Sequence, residues 1–365
     1  MGPNERPFPK SQHDRAGGFR AVLLHDFRPE NPESPWLGWN DLDEPLREHP
    51  WLPPDARYMA ETICELSNAL GHDRSAAVHV LVTWFYSFES VLPFSGDDVI
   101  VFCLGDESGR RPSYAHDVAL VAKTNGVNRK PFIALGPPAT WRGIPAAIVQ
   151  EAHGQIRLLP RSVRSLLRTI RLRRRPAIVE IPLGTFWLSP LPLVPIADRR
   201  YDLSFAGSMK NDAHQGARIL PQKTRSRMQM IEAVERLRQR RPDVTASMRP
   251  LDVFSDVGDH RHDYSELMMQ TRLALCPRGG ARETYRVFEA AASGCVPITE
   301  RLPKRDYYRG FPGVQLRTWS QLPRVAERLL GDANELRQRH EAALAWWRDE
   351  ASPRATAARL ARRLT

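Results

Sequence analysis

The sequence predicts an α/β fold with two domains. Short apolar runs of strand length alternate with helix-length spacers along the chain, which is the pattern of a parallel sheet covered by helices. The 365 residues are too many for one ordinary core and suit two domains of roughly 150–200 residues each. The proline-rich stretch Pro182–Arg200 separates the two series of runs. We therefore expect an N-terminal domain over residues 21–190 and a C-terminal domain over residues 191–345, with a loose segment (1–20) before them and a helix (346–365) after them.

Six apolar runs predict strands in the N-terminal half. A helical pattern over Asp55–Leu70 ends at Gly71, a natural stop. The stretch Phe27–Pro54, rich in proline and tryptophan, predicts an irregular loop, and Ser162–Arg175 predicts a basic helix. The turn signal Ser95–Asp98 precedes one of the strands. The predicted strands are Ala21–His25, Ala76–Trp84, Val99–Leu104, Val118–Lys123, Phe132–Leu135 and Ala177–Ile181.

The C-terminal half repeats the alternation. Its tail, Asn334–Thr365, has a helical pattern that breaks near Pro353. The predicted strands are Tyr201–Ala206, Val244–Met248, Leu273–Cys276, Cys295–Thr299 and Val314–Leu316. The predicted helices before the tail are Thr224–Arg240, Tyr264–Gln270, a helix opened by Glu283 and Thr284, and Leu322–Leu330.

The most informative segment lies between Arg272 and Pro303. A buried strand stops at Pro277, the turn Arg278-Gly279-Gly280 supplies a positive charge and two residues without Cβ, and a helix follows that closes at Ser293-Gly294. A helix N-terminus after such a turn favours a bound anion, because its unpaired N–H groups and the helix dipole both face the ligand. The segment therefore predicts a phosphate or pyrophosphate site.

Each residue of this turn has an expected role. Arg278 and the N–H groups of Gly279 and Gly280 would face a pyrophosphate, and the hydroxyl of Thr284 would add a contact. Arg286 would neutralise a departing phosphate, and Glu289, further along the helix, would accept hydrogen bonds from ribose hydroxyls. A plain connection between strand and helix, with solvated arginines, is the alternative.

The same segment resembles the C-terminal motif of exostosin-type (GT47-type) glycosyltransferases. The motif is a Cys-Pro-x-Gly turn, then Ser/Thr-x-Arg, then Glu-Ala, then Gly-Cys-Val/Ile-Pro. These places are held here, without insertion, by Cys276, Pro277 and Gly279, then Thr284 and Arg286, then Glu289 and Ala290, then Gly294, Cys295, Val296 and Pro297. A weaker similarity extends to Ile181–Gly184 and Tyr201–Ser208.

The resemblance implies the GT-B fold, in which two Rossmann-like domains face each other across a cleft and a C-terminal helix crosses back to the first. It also implies a nucleotide-sugar donor, with UDP as the expected nucleotide, on the C-terminal domain and transfer with inversion. In such enzymes the loop at Gly207 and Ser208 lies near the substrate, and basic residues at the places of Lys223 and Arg227 contact donor phosphates. A simple turn at Gly207 and Ser208, and a solvated helix face for Lys223 and Arg227, are the alternatives. The full set of expected donor-binding residues is Gly207, Ser208, Lys223, Arg227, Arg278, Gly279, Gly280, Thr284, Tyr285, Arg286 and Glu289.

Inverting transfer needs a general base for the acceptor hydroxyl. Asp106 and Glu107 directly follow the predicted strand Val99–Leu104, and catalytic groups in open α/β sheets gather at the carboxyl ends of strands. They are the predicted catalytic pair, with His153 and Asp26 as weaker candidates. An exposed acidic turn is the alternative for Asp106 and Glu107.

No metal site or cofactor is predicted. Asp41-Leu42-Asp43 has the spacing of a metal-binding Asp-x-Asp motif, but it lies in a proline-rich loop far from the nucleotide motif. The four cysteines show no Cys-x-x-Cys spacing, so we expect buried free thiols rather than disulfides or zinc.

The net charge of +11 and the isoelectric point near 9.9 leave two classes of function open. A nucleotide-sugar donor and a glycan or lipid-linked acceptor are the partners expected of a transferase, and helix 162–175 could contact an anionic membrane. The competing class is a non-catalytic basic scaffold of GT-B-like fold that binds anionic lipid or nucleic acid. Because the sequence has neither a basic–aromatic stripe nor a long apolar run, we expect no nucleic-acid partner and no membrane span. A polar, proline-rich N-terminus without an apolar signal core and cysteines expected to be free thiols favour a cytoplasmic location, peripheral at the inner membrane face if that helix contacts lipid.

Overall fold

The computed structural model contains two parallel sheets, each packed against helices. It describes residues 18–25, 36–38, 56–84, 92–105, 109, 111–127, 177–186, 188–209, 222–251 and 261–364. The strands of the first sheet are β1 (Ala21–His25), β2 (Trp36–Gly38), β3 (His79–Trp84), β4 (Gly96–Leu104), β5 (Val118–Lys123) and β6 (Ile178–Glu180). The strands of the second sheet are β7 (Tyr201–Ser208), β8 (Ala246–Leu251), β9 (Thr271–Cys276), β10 (Val296–Glu300) and β11 (Val314–Leu316). The described helices are α1 (Ala56–Leu70), α2 (His72–Ser75), α3 (Gln222–Arg240), α4 (Arg261–Met269), α5 (Tyr285–Ala292), α6 (Leu322–Gly331), α7 (Ala333–Trp346) and α8 (Pro353–Leu364).

The first sheet has the strand order β2-β1-β3-β4-β5-β6. All its pairs are parallel except β1 with β2. The run Val99–Leu104 is fully buried because β4 lies mid-sheet with both of its faces covered. On one face, Met59 and Ile63 of α1 pack with Leu360 of α8 against the strands.

The second sheet has the order β11-β10-β9-β7-β8, and its strands are all parallel. One face is covered by α3 and α6, through residues such as Met230 and Leu322. The other face is covered by α4 and α5, through Met268 and Phe288, with Trp346 of α7 behind them. The carboxyl ends of the parallel strands therefore meet along one edge, where a helix begins after β7 and another after β9.

Local chemistry explains where these helices end. Asp332 caps α7, since its side chain accepts hydrogen bonds from the N–H groups of Asn334 (3.0 Å) and Glu335 (2.9 Å). Helix α5 closes at Gly294, whose φ of 69° lies in the left-handed region. The His340 ring packs against Gly294, and its Nδ1 atom lies 2.6 Å from the Gly294 carbonyl oxygen, with which it forms a hydrogen bond. This contact fixes the C-terminal end of α5.

The chain crosses between the two units twice, and both crossings meet at Tyr58 of α1. Gly184 of the linker lies so close that a Cβ there would be 2.2 Å from the Tyr58 ring. The Tyr58 hydroxyl donates to the carbonyl of Ala351 at 2.8 Å and pairs with the hydroxyl of Thr356, also at 2.8 Å. Helix α8 thus returns to the first unit. Two α/β units with a returning C-terminal helix are the GT-B arrangement, so the predicted fold class is confirmed.

Some sequence predictions are corrected by the structure. The predicted irregular loop Phe27–Pro54 contains strand β2, which pairs antiparallel with β1. The turn predicted at Ser95–Asp98 is mostly the start of β4, where the pairing with β5 shifts register after Gly96. Cys64 is exposed, whereas Cys103, Cys276 and Cys295 are buried free thiols as expected.

Several other predictions fall outside the described residues or stay untested. The predicted strand Phe132–Leu135 and the predicted basic helix Ser162–Arg175 lie outside the described residues. The domain boundaries at 190 and 345 stay predictions. Among the helices that the structure describes, none is long and apolar enough to cross a lipid bilayer.

Substituting Tyr58 by Phe tests whether the returning chain depends on this hydroxyl, since the ring that meets Gly184 is kept. The change leaves the buried Ala351 carbonyl and Thr356 hydroxyl without their partner, so we expect a loss of about 1–3 kcal/mol in the free energy of unfolding. Urea denaturation measures it. Tyr201→Phe, at a half-buried tyrosine of β7, is the control and should change stability by less than about 0.5 kcal/mol. Equal midpoints for the two variants would contradict the role of Tyr58.

Candidate functional site

Three long cationic side chains meet at the carboxyl end of β7. The Nζ atom of Lys223 donates to the Ser208 hydroxyl at 2.9 Å, and Nη1 of Arg227 donates to the Ser208 carbonyl. Nη2 of Arg286, from the first turn of α5, donates to the carbonyl of Ala206. The structure thus brings together five of the predicted donor-binding residues, since Gly207 and Ser208 are themselves the strand end.

The cations lie in an environment of low polarity. Lys223 and Arg227 are only 8% and 5% exposed, and Arg286 is half-buried. The guanidinium carbons of Arg286 and Arg227 lie 4.9 Å and 5.7 Å from the centre of the buried Phe205 ring, within range of a cation–π interaction. Within the described residues, the Nε atom of Arg286 is buried and has no hydrogen-bond partner. A bound anion would supply the missing acceptor and oppose the buried charge.

Gly207 makes this arrangement sterically possible. Its φ is 153°, and a Cβ at this position would lie 2.3 Å from Nη2 of Arg286. A side chain here would displace the guanidinium from the end of β7. The sequence predicted this glycine as a ligand-facing residue, and in the structure its contact is with Arg286.

The N-terminus of α5 has an unused polar group. Thr284 is the N-cap residue, but its side chain makes no capping hydrogen bond, and its Oγ1 is buried without a partner in the described part of the chain. The Thr284 carbonyl accepts from the N–H of Val287 at 3.1 Å. Threonine at an N-cap ordinarily bonds a free N–H of its helix. Here the Thr284 hydroxyl is left without a partner among the described residues, at the helix start where the sequence predicts a phosphate.

The turn before α5 is held by a carboxylate at the end of β10. The Glu300 Oε2 atom accepts from the N–H of Arg278 at 3.0 Å and from the Ser226 hydroxyl at 2.7 Å. The Arg278 guanidinium donates to the carbonyl of Gly280 at 3.2 Å, so this side chain lies along its own turn. Gly279 is half-buried and Gly280 is exposed, and neither has a φ in the left-handed region.

Glu289 has partners that the sequence did not indicate. It is 1% exposed, and its Oε1 accepts from the N–H of Phe186 in the linker at 2.9 Å, while its Oε2 accepts from the Tyr264 hydroxyl at 2.7 Å. Burial, together with the Glu289 carboxylate, holds the pKa of Tyr264 well above its ordinary value, so that tyrosine stays a donor. Tyr285 packs on Phe186 with ring centres 4.8 Å apart. Binding of ribose by Glu289 stays a prediction. The contacts present join α5 to the linker.

The motif cysteines are structural in this arrangement. Burial raises the pKa of Cys295 to about 11 against the opposing effect of Arg199, and its thiol donates to the Met268 carbonyl at 3.0 Å. Burial likewise raises the pKa of Cys276. Both are neutral thiols at pH 7, so neither is suited to act as a nucleophile.

The predicted catalytic pair lies just beyond a described strand end. Asp106 and Glu107 are outside the described residues, as are Asp26, Asp41, Asp43 and His153. Strand β4 ends at Leu104, and the N–H of the next residue, Gly105, donates to the Thr124 hydroxyl after β5 at 3.1 Å. Gly105, the residue before Asp106 in the sequence, therefore lies at the carboxyl edge of the first sheet. No group of three or more His, Cys, Asp and Glu side chains within the described ranges is arranged to hold a metal ion. The absence of a metal or cofactor requirement stays a prediction.

One polar cluster near the site was missed by the sequence reading. Arg305, in the loop after β10, forms ion pairs with Glu283 (2.7 Å), which precedes α5, and with Glu180 (3.0 Å) of β6. Burial alone would lower the pKa of Arg305, but Tyr307, Glu283 and Glu180 raise it above its ordinary value. No motif marks these residues, because Glu180 and Arg305 are remote in sequence and belong to different sheets.

Comparison with known proteins gives matches to the second unit. A family model described as the RXYLT1 C-terminal domain matches residues 199–352, less than half of the chain. Ribitol-5-phosphate xylosyltransferase 1 of Danio rerio is 27% identical over 172 residues, which cover 41% of this chain and 36% of that protein. The Mus musculus protein of the same name is 22% identical over 175 residues, with the same two shares. The chain thus spans about a third of the length of these relatives. The exostosin-type resemblance stays a prediction, since the matching model has another name.

Solved structures show weaker likenesses. The pneumococcal O-GlcNAc transferase GtfA in complex with UDP and GlcNAc has a TM-score of 0.42 and 11% identity, covering 84% of this chain and 60% of that chain. TarM has a TM-score of 0.41 and 10% identity, covering 77% of this chain and 57% of that chain.

Gly207→Ala tests whether the strand end holds Arg286 for an anion. The new methyl group would displace the guanidinium and remove a charge-assisted hydrogen bond to the ligand, so we expect the affinity for inorganic pyrophosphate to fall roughly 10- to 100-fold. Isothermal titration calorimetry measures it. Gly331→Ala is the matched control, since a Cβ at Gly331 in α6 meets open space and should leave the affinity unchanged. Pyrophosphate affinity that is unaltered in Gly207→Ala would show that the anion does not use this corner.

Proposed function

We propose that the chain is a glycosyltransferase that moves a sugar from a nucleotide sugar, expected to be a UDP-sugar, to an acceptor hydroxyl. The observation that carries the proposal is the meeting of Arg286, Arg227 and Lys223 at the end of β7, beside a helix N-terminus with an unused Thr284 hydroxyl. This corner suits a diphosphate, because three cations and the Thr284 hydroxyl lie together there and the cationic side chains are buried or half-buried. The match to the RXYLT1 C-terminal domain supports it, since residues 199–352 contain the whole corner.

The names of the relatives suggest the substrates to try first. Both are ribitol-5-phosphate xylosyltransferases, so we propose a pentose as the transferred sugar and a phosphorylated alditol, borne by a glycan or a lipid-linked carrier, as the acceptor. The exostosin-type motif over residues 276–297 lies within the matched stretch and guides the assignment of donor contacts.

The proposed chemistry is a direct displacement. The acceptor oxygen attacks the anomeric carbon, and its proton passes to Asp106 or Glu107. The bond between the anomeric carbon and the diphosphate oxygen breaks on the opposite face, and its electron pair stays on the diphosphate. Arg286 and the N–H groups at the start of α5 stabilise that charge, which grows as the bond breaks. The anomeric configuration is therefore inverted.

The remaining features of the proposal concern cofactors and location. We propose a reaction that needs no metal ion or other cofactor and a cytoplasmic enzyme, with residues 162–175 as a possible contact to an anionic membrane. The alternative is a non-catalytic basic scaffold, which the net charge of +11 keeps open as an outcome of the experiment.

Arg286→Gln tests the donor site. Removing a preorganised donor to the leaving group should lower kcat for transfer from a UDP-pentose by roughly 10²–10³-fold. A panel of nucleotides in a thermal-shift assay first identifies the nucleotide, and Arg317→Gln, at an exposed arginine, is the matched control with wild-type rates. A wild-type protein that responds only to nucleic acid or acidic vesicles, and to no nucleotide, would favour the scaffold instead.

Separate substitutions of Asp106 by Asn and of Glu107 by Gln test the proposed base. We expect one of them to lower kcat by about 10²–10⁴-fold with the nucleotide affinity unchanged, because the base acts on the acceptor proton and not on the donor. Titration with UDP and product analysis measure the two effects. If both variants transfer sugar at the wild-type rate, the base is another residue.

A further inference from the structure

A single buried guanidinium joins the candidate diphosphate site to the first unit. Arg305 belongs to the loop after β10, and its side chain is 9% exposed. Its Nε bonds Oε2 of Glu283 at 2.7 Å, its Nη1 bonds Oε1 of Glu180 at 3.0 Å, and its Nη2 donates to the carbonyl of Asn125. Three separate segments, two of them from the first unit, therefore depend on one side chain.

In the first unit, the turn after β5 accommodates the Arg305 guanidinium. Gly126 follows β5 with a φ of 56°, and a Cβ there would lie 1.5 Å from Nη1 of Arg305, so only glycine admits the guanidinium. Asn125 also has a positive φ of 56°. The carboxylate of Glu180 accepts from the N–H of Val127 at 3.2 Å as well as pairing with Arg305. The turn at residues 125–127 is thus built around the arginine.

On the other side, Arg305 holds the entrance to α5. Glu283 is only 4% exposed, and its Oε1 accepts from the Tyr307 hydroxyl. The next residue is Thr284, the N-cap of α5 with the unused hydroxyl. Separating the buried Glu283 carboxylate from the Arg305 guanidinium would cost much free energy, so the two side chains move together. A ligand that reduces the motion of the start of α5 therefore also reduces the motion of Arg305.

We propose that Arg305 is a positioning residue that couples occupancy of the diphosphate site to the first unit. The inference rests on the proposed function, because it takes the ligand to be the diphosphate of the donor. A ligand that restricts the motion of Thr284 also restricts Glu283 and Arg305. Through its contacts, Arg305 then restricts the turn at residues 125–127. That turn adjoins Thr124, whose hydroxyl accepts from Gly105, the residue before the loop with Asp106 and Glu107. Donor binding thereby orders the turn at residues 125–127 of the first unit.

Hydrogen exchange with UDP as the probe tests the coupling. In the wild-type protein, saturating UDP should slow amide exchange in peptides covering residues 122–127 by at least about threefold. In Arg305→Gln this protection should vanish, and because coupling is reciprocal the UDP affinity should fall by about tenfold. Arg309→Gln, at an exposed arginine of the same loop, is the matched control and should behave as the wild type.

A second variant separates coupling from folding. Glu180→Gln keeps the pair between Arg305 and Glu283 and weakens only the contact with the first unit, so it should also lose the protection, with the same roughly tenfold fall in UDP affinity, while the protein stays folded and still binds UDP at saturation. Protection that persists in both variants, or UDP binding to the wild type without protection at residues 122–127, would overturn the coupling and leave the proposed function standing. A wild-type protein that binds no nucleotide would overturn both.

Discussion

The second unit holds buried positive charge at the end of β7. The surrounding residues have to compensate that charge, because water has little access to it. Arg286, Arg227 and Lys223 come from the starts of two different helices and converge on one strand end. Carbonyl oxygens, a serine hydroxyl and the face of Phe205 compensate the charges in part. Because Gly207 has no side chain, the Arg286 guanidinium can reach the backbone. The starts of α3 and α5 thereby contribute cationic side chains to the same strand end, an arrangement that suits a bound anion.

The two units are joined through a small number of polar contacts at well-packed places. Tyr58 receives the linker at Gly184 and the returning chain at Ala351 and Thr356. Arg305 joins the loop after β10 to β6 and to the turn after β5. Glu289 fixes the linker to α5 through the N–H of Phe186. Glu289, which the sequence predicted to bind a ligand, is thus part of the connection between the units. Helix α5 therefore contributes both to the candidate donor site and to the contact with the linker.

The sequence predicted most strands of both sheets, because a buried parallel strand is a continuous apolar run. The bounds of β5 and β11 agree with the predicted runs Val118–Lys123 and Val314–Leu316. Strand β2 was missed, since three residues pair with β1 only through a contact that is not local in sequence. The cluster of Arg305, Glu180 and Glu283 was missed for the same reason. In contrast, Gly207, Ser208 and Arg286 were predicted because they follow a strand or begin a helix, whereas Arg227 was predicted from what the family resemblance implies.

The close fit of Gly126 to Arg305 has an evolutionary consequence. A mutation that adds a side chain at position 126 collides with the guanidinium, whereas a lineage that has already replaced Arg305 with a shorter residue is released from that collision. Asn or Asp, which tolerate a positive φ, then becomes acceptable at position 126. The two positions should therefore co-vary among homologues, although they lie in different units and far apart in sequence.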